Sequence, residues 1–167
     1  MASGDTLYIF YAWGGSLPLS TGQAQLSAIP TASISGFFQV AAFDPDTQEH
    51  IDFMGVMPDY YDGGGLTCTI IWSHEDNVNQ IKWHLAFRRI GDDIEDLDLN
   101  HSYSYNNVFP VAPSVVGEIS YDDITFTDGA DMDSIAAGEL FNARIYRDIG
   151  SGGTVFSKLL AIHIQET

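Results

Sequence analysis

Polar and apolar residues alternate along most of this chain. Leu66, Cys68, Ile70 and Trp72 fall on one side of a run whose other side carries Thr67 and Thr69, the two-residue period of a strand with one buried face. The run 80–90 repeats the pattern, with Ile81, Trp83, Leu85 and Phe87 on one face and Lys82, His84 and Arg88 opposite. Turn formers stand between such runs: Asp44-Pro45-Asp46, Pro58, the polar stretch 73–79, the acidic stretch 92–98, Pro113, Asp128-Gly129 and 150–153. They delimit further strands at 6–13, 37–43, 50–57, 103–111, 118–126, 139–147 and 154–165. Only 132–137 has the pattern of a helical turn, and no segment reaches the ~10–12 residues that a helix assignment needs.

Eight or nine short strands joined by Pro, Gly and Asp turns predict an all-β protein, an antiparallel β-sandwich. Jelly-roll-like winding is expected over immunoglobulin-like winding, because the Cys…Trp…Cys framework is absent and the later strands are long. Residues 16–36 are Ser, Thr, Ala, Gln, Pro and Gly without periodicity, and read as an extended arm suited to lying over a neighbouring chain. The expected organisation is therefore an N-terminal strand, arm and loop over 1–36 and a sandwich domain over 37–167. Between two of the strands, Asp59-Tyr60-Tyr61-Asp62-Gly63-Gly64-Gly65 forms a turn whose glycines let the backbone adopt positive φ or pass close to another chain segment.

Composition narrows the function. At 167 residues the chain is one domain, and 45% apolar with 13% aromatic residues it has the material for a packed core. The formal charge is −17, and 17 of the 23 acids are aspartates, a bias toward turns over helices. A surface of that sign repels nucleic acid and anionic lipid, so neither is expected as a partner. The single cysteine, Cys68, forbids an intrachain disulfide and alternates with apolar residues, which marks it as a buried thiol. No basic segment followed by an apolar run opens the chain, and no run approaches membrane-spanning length; synthesis in a cytosol is expected.

Candidate chemistry is thin. His74-Glu75-Asp76 lacks a second histidine at zinc-binding spacing and reads as a solvated turn; His84 and His163 read as partly buried sheet or interface positions. Asp128-Gly129-Ala130-Asp131-Met132-Asp133 lacks the order of a calcium-binding helix-loop-helix and reads as a solvated acidic loop. With 23 acids, some pair at glycosidase spacing arises by chance. There is no nucleophile elbow, no Cys/His pairing and no Lys after the glycines to make a phosphate loop. The reading is a non-enzymatic protein with no cofactor and no metal.

Binding remains. Tyr60 and Tyr61, and Tyr103 with Tyr105, have the chemistry to stack on sugar rings or to bury themselves against a protein, and protein contact is the preferred reading. The six bases, Lys82, Arg88, Arg89, Arg144, Arg147 and Lys158, all fall on or beside strands, which predicts ion pairs within or between subunits. The candidate interaction residues are Tyr60, Tyr61, Gly63, Gly64, Gly65, Trp13, Arg144 and Arg147.

As a set, several segments resemble a group of small virion proteins of tailed bacteriophages, cyanophages among them. They are Gly55-Val56-Met57-Pro58-Asp59-Tyr60, the glycine turn Tyr61-Asp62-Gly63-Gly64-Gly65-Leu66-Thr67 into the strand ending at Trp72, Trp83-His84-Leu85-Ala86-Phe87-Arg88-Arg89, and Asp133-Ser134-Ile135-Ala136-Ala137-Gly138-Glu139-Leu140-Phe141-Asn142-Ala143-Arg144-Ile145-Tyr146-Arg147-Asp148. The resemblance covers the chain from about Phe37 onward. It implies a jelly-roll-like sandwich that caps a capsid as a decoration (cement) protein, a homotrimer whose other partner is the major capsid protein, located on the virion. A tail or neck fibre domain that binds carbohydrate is the alternative.

Overall fold

The computed structural model describes residues 4–31, 36–77, 80–92, 96–151 and 153–167. Residues 32–35 of the expected arm, 78 and 79 of the polar turn, 93–95 of the acidic loop and Gly152 lie outside them. The strands are β1 (Thr6–Tyr11), β2 (Gln25–Pro30), β3 (Phe37–Phe43), β4 (His50–Val56), β5 (Leu66–His74), β6 (Trp83–Ile90), β7 (Asn106–Val108), β8 (Ile119–Phe126), β9 (Leu140–Arg147) and β10 (Ser157–Glu166). Two single-turn 3₁₀ segments, Ala12–Gly14 and Ala130–Met132, complete the regular structure. Among the described residues no helix is long and apolar enough to cross a membrane.

The strands form two antiparallel sheets. The larger runs β2-β3-β10-β5-β8, with β1 pairing beside β3 along the far half of β10; the smaller runs β4-β9-β6-β7. Their inner faces carry the alternating apolar residues read from the sequence. Leu66, Cys68, Ile70 and Trp72 of β5 face Trp83, Leu85 and Phe87 of β6 across the sandwich, all buried. Trp72 and Trp83 meet edge to face at 5.9 Å, Phe43 meets Trp83 at 5.2 Å, and Phe87 meets Phe126 at 4.9 Å. Burial drives the Cys68 thiol pKa far above its ordinary value, so it stays protonated and inert.

The N-terminal third departs from expectation. β1 is a strand of the sandwich itself: Leu7 is buried, Phe10 stacks on Phe53 at 5.3 Å, and Tyr8 meets Phe141 edge-on at 5.5 Å. β2 pairs with β3 over six residues, and residues 16–24 run beside β4, where Ser16 and Asp52 exchange backbone hydrogen bonds of 2.7 and 3.0 Å. The segment read as an arm over a neighbour thus crosses from one sheet edge to the other within its own chain. Its small residues hid this, because edge pairing needs backbone groups rather than an apolar period.

Other differences are local. His74 is not in a solvated turn but is the buried last residue of β5, with Nδ1 3.2 Å from Ser157 Oγ. The strand expected over 103–111 shrinks to β7, because Tyr103 and Tyr105 are spent on covering the outer face of the smaller sheet. The helical turn lies slightly earlier than 132–137 and is followed by Asp133 and Ser134, both at positive φ.

Candidate functional site

The expected interaction residues do not converge. Tyr60 is exposed in the turn after Pro58, whereas Tyr61 is buried beside it; its hydroxyl donates to Asp128 Oδ1 at 2.9 Å and accepts from the Gly65 N–H at 3.2 Å. Gly65 has φ of +87°, and a Cβ there would lie 2.5 Å from the Phe126 carbonyl oxygen; one at Gly64 would lie 2.8 Å from that of Thr167. Gly63, at φ +82°, completes a turn that fits closely against the chain's own C-terminal end. Arg147 is buried and donates to the carbonyls of Val155 at 2.7 Å and Ser151 at 3.0 Å, which makes it a loop anchor. Trp13 lies over the outer face of the larger sheet, with its indole N–H shared between the carbonyls of Ser27 and Val40.

Tyr61 and Gly63 line a pocket beside Asp128, and Trp13 lines a trough on the larger sheet; Arg144 lies between two cavities on the smaller sheet. It points outward from the middle of β9, on the solvent face of the smaller sheet. Antiparallel register sets the rows on that face: His50, Tyr146 and His84 in one, Asp52, Arg144 and Ala86 in the next, then Met54, Asn142 and Arg88. The Arg144 guanidinium grips Asp52 with two hydrogen bonds of 2.7 Å, and its carbon lies 4.4 Å from the centroid of the Tyr103 ring. The Tyr103 hydroxyl accepts from Asn142 Nδ2 at 2.9 Å. Tyr105 stands edge-on to Tyr146 at 4.8 Å, and Tyr146 stacks on His84 at 4.5 Å with ring planes 7° apart.

Two cavities open on either side of Arg144. One, of about 260 Å³, is lined by Gln48, His50, Tyr105, Arg144 and Tyr146. The other, of about 270 Å³, has Asp52, Met54, Arg88, Tyr103, Asn142 and Arg144 among its walls. Together they form one groove in two bays, walled on one side by the segment held against β4 at Ser16 and on the other by the tyrosine segment that precedes β7.

The electrostatics are specific. Hydrogen bonding to Asp52 holds Arg144 charged at any accessible pH. Burial pushes Tyr105 up to about 12 and raises Tyr103 and Tyr146, so all three hydroxyls stay protonated. Burial lowers His84 below its usual range despite Asp148, and burial together with the Arg144 charge lowers His50. At neutral pH the groove therefore presents neutral aromatic rings with hydroxyl and amide groups, and its one central cation is already paired. Both prongs of that cation are occupied, so it offers a phosphate or carboxylate ligand little.

Sequence reading weighed Tyr103 and Tyr105 for sugar stacking but placed the preferred contacts elsewhere. Tyr146, Asn142 and Asp52 carry no such reading as groove residues, while His84 is the buried sheet position expected of it, stacked on the Tyr146 ring. The available signal was period: they occupy the outward positions of β4, β6 and β9, where a solvated strand face rarely carries so many aromatic and amide groups. Among the described residues no three of His, Cys, Asp or Glu are grouped to hold a metal ion.

No family model matches the chain, and no curated protein matches it. Solved structures do. The chain is similar to the CBM22-1 xylan-binding domain of Paenibacillus barcinonensis Xyn10C at TM-score 0.55 and 8% identity, covering 99% of this chain and 96% of that one. It is also similar to the CBM22-1-GH10 modules of Clostridium thermocellum xylanase 10B complexed with xylohexaose, at TM-score 0.54 and 14% identity, covering 100% of this chain and 29% of that one. At such identities the likeness speaks for the fold alone, a jelly-roll-like antiparallel β-sandwich.

Proposed function

We propose that the chain is a non-catalytic carbohydrate-binding sandwich that holds a neutral polysaccharide in the groove around Arg144. The observation that carries this reading is the preformed set of Tyr103, Tyr105 and Tyr146 rings, the last backed by the buried His84, beside the Asp52–Arg144 pair and Asn142. A pyranose has an apolar C–H face and an equatorial rim of hydroxyls, and such a site meets both, rings for the face and amide, carboxylate and guanidinium edges for the rim. The ion pair and the tyrosine packing fix the side chains before a ligand arrives, which lowers the entropy cost of binding. A formal charge of −17 favours neutral glycans over acidic ones.

Binding without turnover is the reading because glycoside hydrolysis needs two carboxyl groups about 5–9.5 Å apart. Among the described residues Asp52 is the single carboxylate lining the groove, and Arg144 already holds it. A fold neighbour that is a xylan-binding domain supports the same reading by analogy. Of the two roles expected from the sequence, a capsid cement and a carbohydrate-binding fibre domain, the groove favours the second.

The test is retention of the full chain on insoluble xylan, cellulose, β-glucan and galactan, followed by calorimetry with oligosaccharides of whichever polymer retains it. Xylan comes first in the panel, since a fold neighbour binds it. Retention on at least one neutral polymer, lost in Tyr105→Ala, is the expected result. A chain that passes freely through the whole panel overturns the proposal.

A further inference from the structure

The opposite face of the molecule is built on different chemistry. On the outer side of the larger sheet, one row of cross-strand neighbours reads Tyr11, Ala161, Ile71 and Tyr121 across β1, β10, β5 and β8. Its ends are tall and its middle is low. The two tyrosines stand three strand spacings apart, about 14 Å, with short side chains between them. Trp13, Phe37 and Phe38 extend one wall, and the trough between encloses about 570 Å³. The next row along the same strands, Ile9, His163, Thr69 and Asp123, is largely polar, so the apolar region stops abruptly.

Tyr11, Trp13, Phe37, Phe38 and Tyr121 keep between 44% and 67% of their surface exposed. At ~200 Å² per large aromatic side chain that is about 600 Å² of exposed ring surface around one trough. The largest apolar patch of an ordinary monomer spans ~300–600 Å² in all, before any neighbouring aliphatic surface is added. The trough is poorer in polar groups than the groove on the smaller sheet: the Trp13 N–H is spent on two backbone carbonyls, and beside the Tyr11 and Tyr121 hydroxyls Gln39 carries the one side-chain amide in the lining.

We infer that this face is the interface of a two-fold homodimer, in which two larger sheets pack outer face to outer face through the Tyr11–Tyr121 trough. A flat sheet face is self-complementary under a two-fold axis, each copy's tall wall entering the other's low floor. Pairing two such faces removes about 1,200 Å² of aromatic surface in total, the lower end of the ~1,200–2,000 Å² of a stable specific interface. This differs from the trimer that the virion resemblance implies, and it does not depend on the glycan reading, whose groove lies on the other sheet.

Sedimentation equilibrium of the full chain at micromolar concentration, in low and high salt, tests it. The mass of two chains is expected, with tighter association in high salt, because each copy carries −17 and screening relieves the repulsion. Tyr121→Asp and, separately, Phe38→Asp should each weaken the dimer by ~30-fold or more, as removal of a central aromatic anchor does. Both positions are solvent-facing in the single chain, so the variants should melt as cooperatively as isolated wild-type monomer. A wild-type chain that stays monomeric in both salts overturns the inference, as does the mass of three chains or variants that dimerise as tightly as wild type. Loss of polysaccharide retention in Tyr121→Asp also overturns it, by making the trough a glycan site.

Discussion

Single residues set the chemistry of the groove. Arg144 does two things there, fixing Asp52 by its fork and the Tyr103 ring by its face. Lysine can do neither in the same geometry, because it has no planar fork. Arg144→Lys should therefore weaken glycan binding about 10-fold or more while the chain stays folded, since one hydrogen-bonded charge contact is worth ~1.5–3 kcal/mol; calorimetry against wild type checks it. In the core, Trp83 is fully buried against Phe43 and Trp72, and Trp83→Ala should cost ~3–5 kcal/mol, measured by denaturant unfolding.

The buried and half-buried histidines give stability a definite pH dependence. His50, His74 and His84 are all held below the ordinary value of 6.5, chiefly by burial. Unfolding releases them to take up protons near 6.5, so above that pH they add no penalty. As pH falls through and below 6.5 the unfolded chain binds protons that the native one refuses, and stability drops. Burial raises Glu49 in the opposite sense, which offsets part of the loss toward the acid end. The melting temperature should fall between pH 7.5 and 5.5; an unchanged value contradicts the assignment.

At the scale of elements, the sequence was most legible where one face is buried and the other is wet. β3 matches its expected bounds, and β4, β5, β8, β9 and β10 do so within two or three residues, because alternation of large apolar and polar side chains specifies both strand and register. β2 was not legible: Gln25–Pro30 presents no buried alternation and pairs only through its backbone with β3. β1 was read as a strand, yet its place in the sandwich was not, since nothing local says that Thr6–Tyr11 will meet Ala161–Gln165 at the other end of the chain. Its rings now pack on Phe53 and Phe141. Deleting residues 1–35 should therefore leave an insoluble or molten chain rather than a folded sandwich. Near-ultraviolet circular dichroism and solubility after expression check this.

For the whole molecule, the two outer sheet faces separate two kinds of recognition. The smaller sheet presents a polar aromatic groove of fixed side chains, and the larger sheet presents a more apolar trough flanked by rings. The sequence held the ingredients of both but not their distribution, because outward positions on different strands come together only through register. Tyr103 and Tyr105 show this: two residues apart in the segment before β7, they gain meaning from Arg144, Asn142 and Tyr146 on β9. Trp13 shows the converse: at the end of a run expected as a strand, it sits in a 3₁₀ turn and lines a trough with Phe37 and Phe38.

The central claim is where carbohydrate binds. An amide chemical-shift titration of the full chain with a neutral oligosaccharide tests it most directly. Shifts concentrated at His50 to Met54, His84 to Arg88, Tyr103 to Tyr105 and Asn142 to Tyr146 are expected. Shifts confined to Tyr11, Phe38 and Tyr121, or to the turn from Tyr60 to Gly65, would contradict the account.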